Sequence, residues 1–148
     1  MRLVVDANIL VAEAMRLRGQ ALLSHPRVAL AMTERAWAEA LYEARQRLRG
    51  LVALGRIPDV RAEEVLTLLE STLATTITVV PEAAYADREP SARRRIPRDP
   101  DDRPTVALAL ALDAGIWTLD NDFLGCGVPT WTTETLLAYL EEMVDSTT

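Results

Sequence analysis

The sequence contains no lysine, one cysteine (Cys126) and one histidine (His25). A single cysteine cannot form an intrachain disulfide, which favours a reducing compartment over secretion. Without a lysine, the chain cannot carry the glycine-rich phosphate loop of a P-loop NTPase. His25 and Cys126 are too few and too far apart in sequence for a zinc site of Cys and His ligands.

Long apolar runs are also absent. No uncharged stretch of about 18 residues exists, so no membrane span is predicted. The apolar run of residues 3–5 is too short for a signal peptide and ends at Asp6. We therefore expect a cytoplasmic protein. The formal net charge of −6 argues against indiscriminate binding of nucleic acid.

The apolar segments that are present predict one α/β domain spanning residues 1–148. Short β-prone runs alternate with longer helical patterns, which is typical of a mostly parallel sheet. The predicted strands are residues 3–5, 28–32, 76–80, 116–119 and 128–131.

Helical patterns are predicted to start near Ile9 and to cover residues 33–54, 61–73, 105–114 and 132–143. In the helix of residues 33–54, we expect a buried stripe made of Trp37, Leu41, Ala44, Leu48 and Leu51. Gly115 is expected to end the helix of residues 105–114. A short helix of residues 82–86 is possible in residues 81–97, which otherwise read as the most polar connection in the chain.

Carboxylates recur where predicted strands end and where helices begin. Asp6 follows the first strand, although it could instead cap the next helix. Because a parallel sheet gathers ligands at its carboxyl edge, we expect the acids to meet there. Close carboxylates repel unless a cation joins them, and oxygen ligands suit Mg²⁺ or Mn²⁺. The other candidates are Glu39, Glu43, Asp99, Asp101, Asp102, Asp120 and Asp122.

A metal ion held in this way could activate water and neutralise a phosphate oxygen, which predicts phosphodiester or phosphomonoester hydrolysis. The solvated face of a helix is the alternative reading of Glu39 and Glu43. Arginines lead directly into the acids of residues 99–102: Arg88, Arg93, Arg94, Arg95 and Arg98. They are either a solvated loop or a contact to a phosphate backbone.

Four segments, taken together, resemble the PIN-domain nucleases: VVDANIL, WAEALYEAR, DDRPTVALALALDAGIWTLDNDF and the C-terminal strand and helix. The resemblance covers nearly the whole chain and implies a three-layer α/β/α fold with about four to five strands. It implies an acidic quartet of Asp6, Glu39, Asp102 and Asp120 that holds Mg²⁺ or Mn²⁺. It further implies Asp122 as an accessory acid, and Asn8 and Thr118 as supporting residues.

The same resemblance implies a ribonuclease that cleaves single-stranded RNA. Many small bacterial members are toxins of the VapC type that pair with an antitoxin and form homodimers. The cluster Asp99, Asp101 and Asp102 leaves open which acid binds metal, and Glu43 remains the alternative to Glu39. Competing functions are a catalytically silent PIN-like module that binds RNA or protein, a DNA nuclease, and a haloacid-dehalogenase-type phosphatase. The last needs an acid where Asn8 stands.

Overall fold

A twisted sheet of five strands in the order β3-β2-β1-β4-β5 organises the molecule, and every neighbouring pair is parallel. The computed structural model describes residues 1–146. In chain order the strands are β1 Arg2–Val5, β2 Ala29–Thr33, β3 Ile77–Val80, β4 Gly115–Trp117 and β5 Thr130–Trp131. The parallel α/β prediction is therefore confirmed, and the carboxyl ends of the strands share one edge.

Helices cover both faces of this sheet. They are α1 Ala7–Ala14, α2 Leu17–Leu23, α3 Glu34–Ala53, α4 Asp59–Thr67, the single turn α5 Ala74–Thr76, α6 Glu89–Arg95, α7 Arg103–Leu112 and α8 Thr133–Asp145. A π-helical segment, Leu68–Leu73, continues α4, and 3₁₀ turns form at Glu82–Ala84, Ala86–Arg88 and Asn121–Phe123.

Alternating residues of β1 serve two hydrophobic cores. Leu3 and Val5 face the core formed with α1, α2, α3 and α8, whereas Val4 faces the core formed with α6 and α7. Successive side chains of a strand point to opposite faces, so a central strand covered by helices on both sides is wholly apolar. This arrangement is the three-layer α/β/α architecture, and it leaves only the strand ends open to polar chemistry.

Three helices were not predicted as separate elements. Helix α2 follows the helix expected to start near Ile9, the single turn α5 ends at Thr76, where a strand was expected to begin, and α6 lies within the segment read as a polar connection. In α6, Pro90 occupies the first turn, where a missing N–H costs no hydrogen bond. The expected helix at residues 82–86 is replaced by two 3₁₀ turns.

Several predicted boundaries were wrong. Helix α4 starts at Asp59, and from Leu68 to Leu73 the chain is π-helical, not α-helical. Strand β4 ends at Trp117, two residues earlier than expected. On α3, the buried stripe is Ala36, Ala40, Ala44 and Leu48. Trp37 and Leu41 are only half-buried beside it.

The expected helix stop at Gly115 was also wrong. Helix α7 ends at Leu112, and Asp113 takes the left-handed conformation with φ 49°. Gly115 belongs to β4, where an added Cβ would lie 3.0 Å from Trp131 Nε1 and 3.1 Å from Leu3 Cδ2. The glycine therefore suits the close packing of β4 against its neighbours, which would have to shift by a few tenths of an ångström to admit a Cβ.

Across residues 1–146, none of the helices combines the length and the apolar character that a membrane crossing requires.

Candidate acidic metal site

Asp6 lies directly after β1, at the carboxyl edge of the sheet. Its backbone N–H donates to the carbonyl of Trp117 on the neighbouring strand at 3.2 Å. Although Asp6 precedes α1, its side chain makes no capping bond to that helix, and its Oδ2 accepts from Thr118 Oγ1 at 3.1 Å. Burial raises the pKa of Asp6, and the nearby Asp120 and Glu39 raise it further, while the bond from Thr118 lowers it.

Thr118 joins the acid of β1 to the acid that follows β4. Besides donating to Asp6, its hydroxyl accepts from the backbone N–H of Asp120 at 2.9 Å. Thr118 is 4% exposed. Because one buried hydroxyl holds both positions, Asp6 and Asp120 are fixed relative to each other.

Asp120 begins a tight turn that carries Asp122. The carboxylate of Asp120 accepts from the backbone N–H of Asp122 at 2.8 Å and caps the 3₁₀ turn Asn121–Phe123. Asp122 is exposed. The turn thus sets two carboxylates beside the end of β4.

Asp102 lies just before α7 and is the most perturbed acid of the group. Burial raises its pKa to about 7, with further contributions from Asp99, Asp120, Asp6 and Asp122. Its Oδ2 is buried and has no hydrogen-bond partner among the residues that the structure describes. Carboxylate oxygens of Asp99, Asp102 and Asp122 all lie within 4.8 Å of one another.

Asp101 points to a different partner from its neighbours. Its carboxylate forms an ion pair with Arg35 of α3. Its backbone N–H donates to Asp99 Oδ1 at 2.9 Å, which holds the loop before α7. Asp102 and Asp99 therefore lie near the other acids of the site, whereas the carboxylate of Asp101 is paired with the guanidinium of Arg35.

A cavity of about 70 Å³ opens beside these acids. Glu39 contributes to its wall, whereas Glu43, one turn further along α3, does not. The wall includes Asp6, Asn8, Arg35, Glu39, Asp101 and Asp102. The structure thus brings the acids of β1, α3 and the α7 loop to one opening.

The five arginines that precede the acids lie in different surroundings, and Arg88 forms an ion pair with the adjacent Asp87 at 3.7 Å. Arg93 forms an ion pair with Glu89 within α6 at 3.0 Å, and Arg95 donates to the carbonyl of Cys126 at 3.0 Å. Arg94 is exposed on α6. Arg98 lines a second cavity, of about 280 Å³, together with Asp99, Asn121 and Asp122.

Sequence reasoning missed Arg35 as a member of the site. Its one local signal is a cation in the first turn of α3, where the helix dipole favours anions, but its partner Asp101 lies 66 residues away in sequence.

The site has the donor set of a divalent oxygen-ligand cation. Several carboxylates converge, one of them has a buried oxygen without a partner among the described residues, and burial together with mutual repulsion raises the pKa of Asp6 and Asp102. A cation at this place would satisfy the orphan oxygen and relieve the repulsion. The fold and the site thus define an α/β domain with an acidic edge whose donor groups suit a divalent cation.

The sequence profile of the PIN domain matches residues 4–141, so the chain belongs to the PIN domain family. No match is found among curated proteins.

Solved structures share the fold. One titled "Crystal structure of PAE2754 from Pyrobaculum aerophilum" has a TM-score of 0.64 at 22% identity and covers 96% of this chain and 90% of its own. A "Toxin-antitoxin complex from Klebsiella pneumoniae" has a TM-score of 0.56 at 18% identity, with coverages of 88% and 97%. FitAcB from Neisseria gonorrhoeae has a TM-score of 0.54 at 18% identity, with coverages of 90% and 99%.

Proposed function

We propose that this PIN domain is an endoribonuclease that hydrolyses single-stranded RNA with Mg²⁺ or Mn²⁺. The observation that carries the proposal is Asp102, whose buried, unpartnered oxygen and raised pKa of about 7 arise among four other carboxylates. A group that is so costly to ionise in the free protein is suited to bind a divalent cation.

In this proposal Asp6, Glu39, Asp102 and Asp120 hold the metal, and Asp122 is an accessory acid. The proximity of Asp99 to Asp102 and Asp122 supports Asp99 as a further acid of the site. A bound divalent ion would supply a water of lowered pKa and would neutralise charge on a phosphate oxygen.

The chain's own residues prepare this chemistry. Thr118 orients the carboxylate of Asp6 and the backbone of Asp120, which limits reorganisation when a ligand arrives. Asn8 lines the cavity beside Asp6 and offers an amide to the substrate or to a metal-bound group. Among the predicted RNA contacts, Arg94 and Arg98 are the two whose side chains make neither an ion pair nor a hydrogen bond within residues 1–146.

The test is cleavage of a mixed pool of single-stranded RNA by the purified protein. We expect products with Mn²⁺ or Mg²⁺, none with EDTA, and a loss of at least about 100-fold in Asp6→Asn, since one ligand of the site is removed. Glu63→Gln is the control, because Glu63 is an exposed acid of α4 that lies outside the cavity and is not a candidate ligand. Cleavage that survives both EDTA and Asp6→Asn would overturn the proposal. RNA binding without cleavage in any divalent metal would instead identify a silent binding module.

We also propose that a cognate antitoxin controls the activity and that the protein acts as a homodimer. The structural similarity to the toxin-antitoxin complex from Klebsiella pneumoniae supports the first point. Expression of this chain should arrest growth, and co-expression of the reading frame adjacent to its gene should relieve the arrest. Light scattering of the purified protein should give twice the monomer mass of 16.4 kDa.

A further inference from the structure

Arg35 occupies a position that the helix itself does not favour. It is the second residue of α3, where the partial positive charge of the helix end disfavours a cation. The helix start is already capped, since Thr33 Oγ1 accepts from the backbone N–H of Ala36 at 3.0 Å. The arginine is therefore not explained by the stability of α3.

Its surroundings are those of the acidic site. Among the described residues that line the 70 Å³ cavity, Arg35 is the one basic residue beside Asp6, Glu39, Asp101 and Asp102. A guanidinium at the mouth of an acidic cavity provides what the acids lack, a donor group for an anionic substrate.

The ion pair that holds Arg35 is easily exchanged. The side chain of Arg35 is 60% exposed and that of its partner Asp101 is 73% exposed. Exposed ion pairs contribute little to stability, whereas an arginine can bind phosphate through two parallel charge-assisted hydrogen bonds. Asp101 can thus hold Arg35 in the free protein and release it to a phosphate.

A second, separate opening beside the acids also has basic residues. Arg98 lines the 280 Å³ cavity with Asp99 and Asp122, and these two acids both raise the pKa of Asp102. Asp102 itself lines the first cavity with Arg35. The acids therefore border two openings, one with Arg35 and one with Arg95 and Arg98. Arg95 donates to the carbonyl of Cys126, which leaves Arg98 as the arginine of the second opening without an intramolecular partner among the described residues.

We infer that Arg35 is a positioning residue that binds a backbone phosphate of RNA on the opposite side of the scissile bond from the phosphate bound by Arg98. This inference rests on the proposed function, and it adds the path of the strand: from the cavity at α3, across Asp102, to the cavity at Arg98. Asp101 acts as the resting partner of Arg35.

The first experiment measures the affinity for a short labelled single-stranded RNA by fluorescence anisotropy, with Ca²⁺ as the divalent ion, at several salt concentrations. Arg35→Met, which keeps the apolar stem, should weaken binding about tenfold and reduce the slope of log Kd against log salt by about 0.7, the value of one phosphate contact on a single strand. Arg35→Lys should restore the slope. Arg61→Met is the matched control, because Arg61 also forms an exposed ion pair, with Glu64 on α4.

Asp101→Asn separates phosphate binding from a purely structural role. If Arg35 binds phosphate, Asp101→Asn frees the guanidinium and leaves RNA binding equal or tighter. If the ion pair only holds the loop before α7, Asp101→Asn should weaken RNA binding as much as Arg35→Met does. The double variant should then bind RNA no more weakly than either single variant. That result would overturn the inference.

Neutral methylphosphonate linkages, placed one at a time around the cleavage site, then locate the contact. One neutral linkage should weaken binding to the wild type but should not weaken binding to Arg35→Met any further. A neutral linkage on the other side of the cleaved bond should weaken binding to the wild type but not to Arg98→Met. Coupling of both arginines to the same side would contradict the inferred path.

The outcomes also separate this inference from the proposed function. A wild type that cleaves RNA while Arg35→Met binds normally overturns the inference alone. A wild type that binds RNA through Arg35 but does not cleave it overturns the proposed function, while the phosphate contact of Arg35 stands. A wild type that does not bind RNA overturns both.

Discussion

At the scale of single residues, the fold holds the carboxylates of the site close together, although burial and charge repulsion disfavour their ionised forms. Asp102 and Asp6 both have raised pKa values, and for both the largest cause is burial. Burying a carboxylate without a counter-ion is unfavourable, so the free protein loses stability in order to keep these acids together.

The first prediction follows from Asp102. Its pKa is raised from 3.8 to about 7, so between these pH values the folded, metal-free protein binds more protons than the unfolded chain does. Its contribution to stability is therefore present below about pH 4 and is lost as the pH rises toward 7. Asp102→Asn should remove this loss and raise the Tm in EDTA at pH 8 by about 2–4 °C, which corresponds to roughly 1 kcal/mol for a chain of this size.

Thermal unfolding of wild type and Asp102→Asn between pH 4 and pH 8, both in EDTA, measures this difference. The two curves should converge at low pH, where Asp102 is protonated in both states. Because Asp102 must release its proton to bind a cation, the Mg²⁺ affinity of the wild type should also fall below about pH 7. Parallel curves at all pH values would contradict the prediction.

The second prediction concerns Thr118. Thr118→Val keeps the shape of the side chain but removes the hydroxyl that donates to Asp6 and accepts from Asp120. Since the bond from Thr118 lowers the pKa of Asp6, the variant should have a still higher pKa there. The acidic limb of its pH–activity profile should move to higher pH, and its activity at pH 7 should fall about tenfold or more.

Thr118→Ser is the control, since it retains the hydroxyl and loses only a methyl group. Its pH profile should overlay that of the wild type. A Thr118→Val profile that is lower at every pH but not displaced would mean that the hydroxyl acts on folding alone.

At the scale of elements, the helices position the site through close contacts of their backbones. Helix α2 packs against α1 at Gly19, and the side chain of Glu13 on α1 is 1% exposed beside it. Thr133 of α8 donates to Glu13 at 2.9 Å and accepts from Trp117 Nε1 at 3.2 Å. A buried polar network thus connects α1 and α8 to the strand that precedes Thr118.

The third prediction tests this contact with two glycines of the same chain. A Cβ at Gly19 would lie 2.3 Å from the carbonyl oxygen of Glu13, whereas a Cβ at Gly50 in α3 would have no atom within 4 Å. Gly19→Ala should therefore cost about 2–3 kcal/mol and lower the Tm by about 5–10 °C. Gly50→Ala should gain about 0.5–1 kcal/mol, because alanine favours a helix interior.

Calorimetry or circular dichroism of the two variants in the same buffer measures both values. Equal shifts for the two substitutions would show that α2 can move away from α1, and that the network at Glu13 does not depend on their close approach.

The strands and helices also show which structural features local sequence patterns can predict. The end of β1 before Asp6 and the sheet class were predictable, because apolar runs bounded by acids leave few alternatives, whereas the end of β4 was expected two residues too late. Helix α6 was not predictable, because Pro90 and four charged residues among Glu89–Arg95 suggest a loop. Within these residues, Ala92 alone is buried against the second core and gives the helix an apolar contact. Arg35 was missed because its role depends on a loop 66 residues away.

At the scale of the whole molecule, the net charge of −6 and the clustered acids should couple the stability of the fold to the binding of cations. A cation that binds only the folded state adds RT ln(1 + [L]/Kd) to the free energy of unfolding, about 2.7 kcal/mol at 100 times Kd. The metal should therefore be visible in the stability of the protein before any substrate is known.

The last prediction uses this linkage to decide between Glu39 and Glu43. Both are exposed and lie one turn apart on α3, and each Gln variant changes the net charge equally, but only Glu39 lines the cavity and raises the pKa of Asp6. In saturating Mg²⁺ at constant ionic strength, the wild type and Glu43→Gln should gain about 5–10 °C in Tm over their values in EDTA. Glu39→Gln should gain less than half of that, and in EDTA it should be the more stable of the two variants because repulsion with Asp6 is relieved. The reverse order would assign Glu43 to the metal, and equal gains in both would place neither glutamate among its ligands.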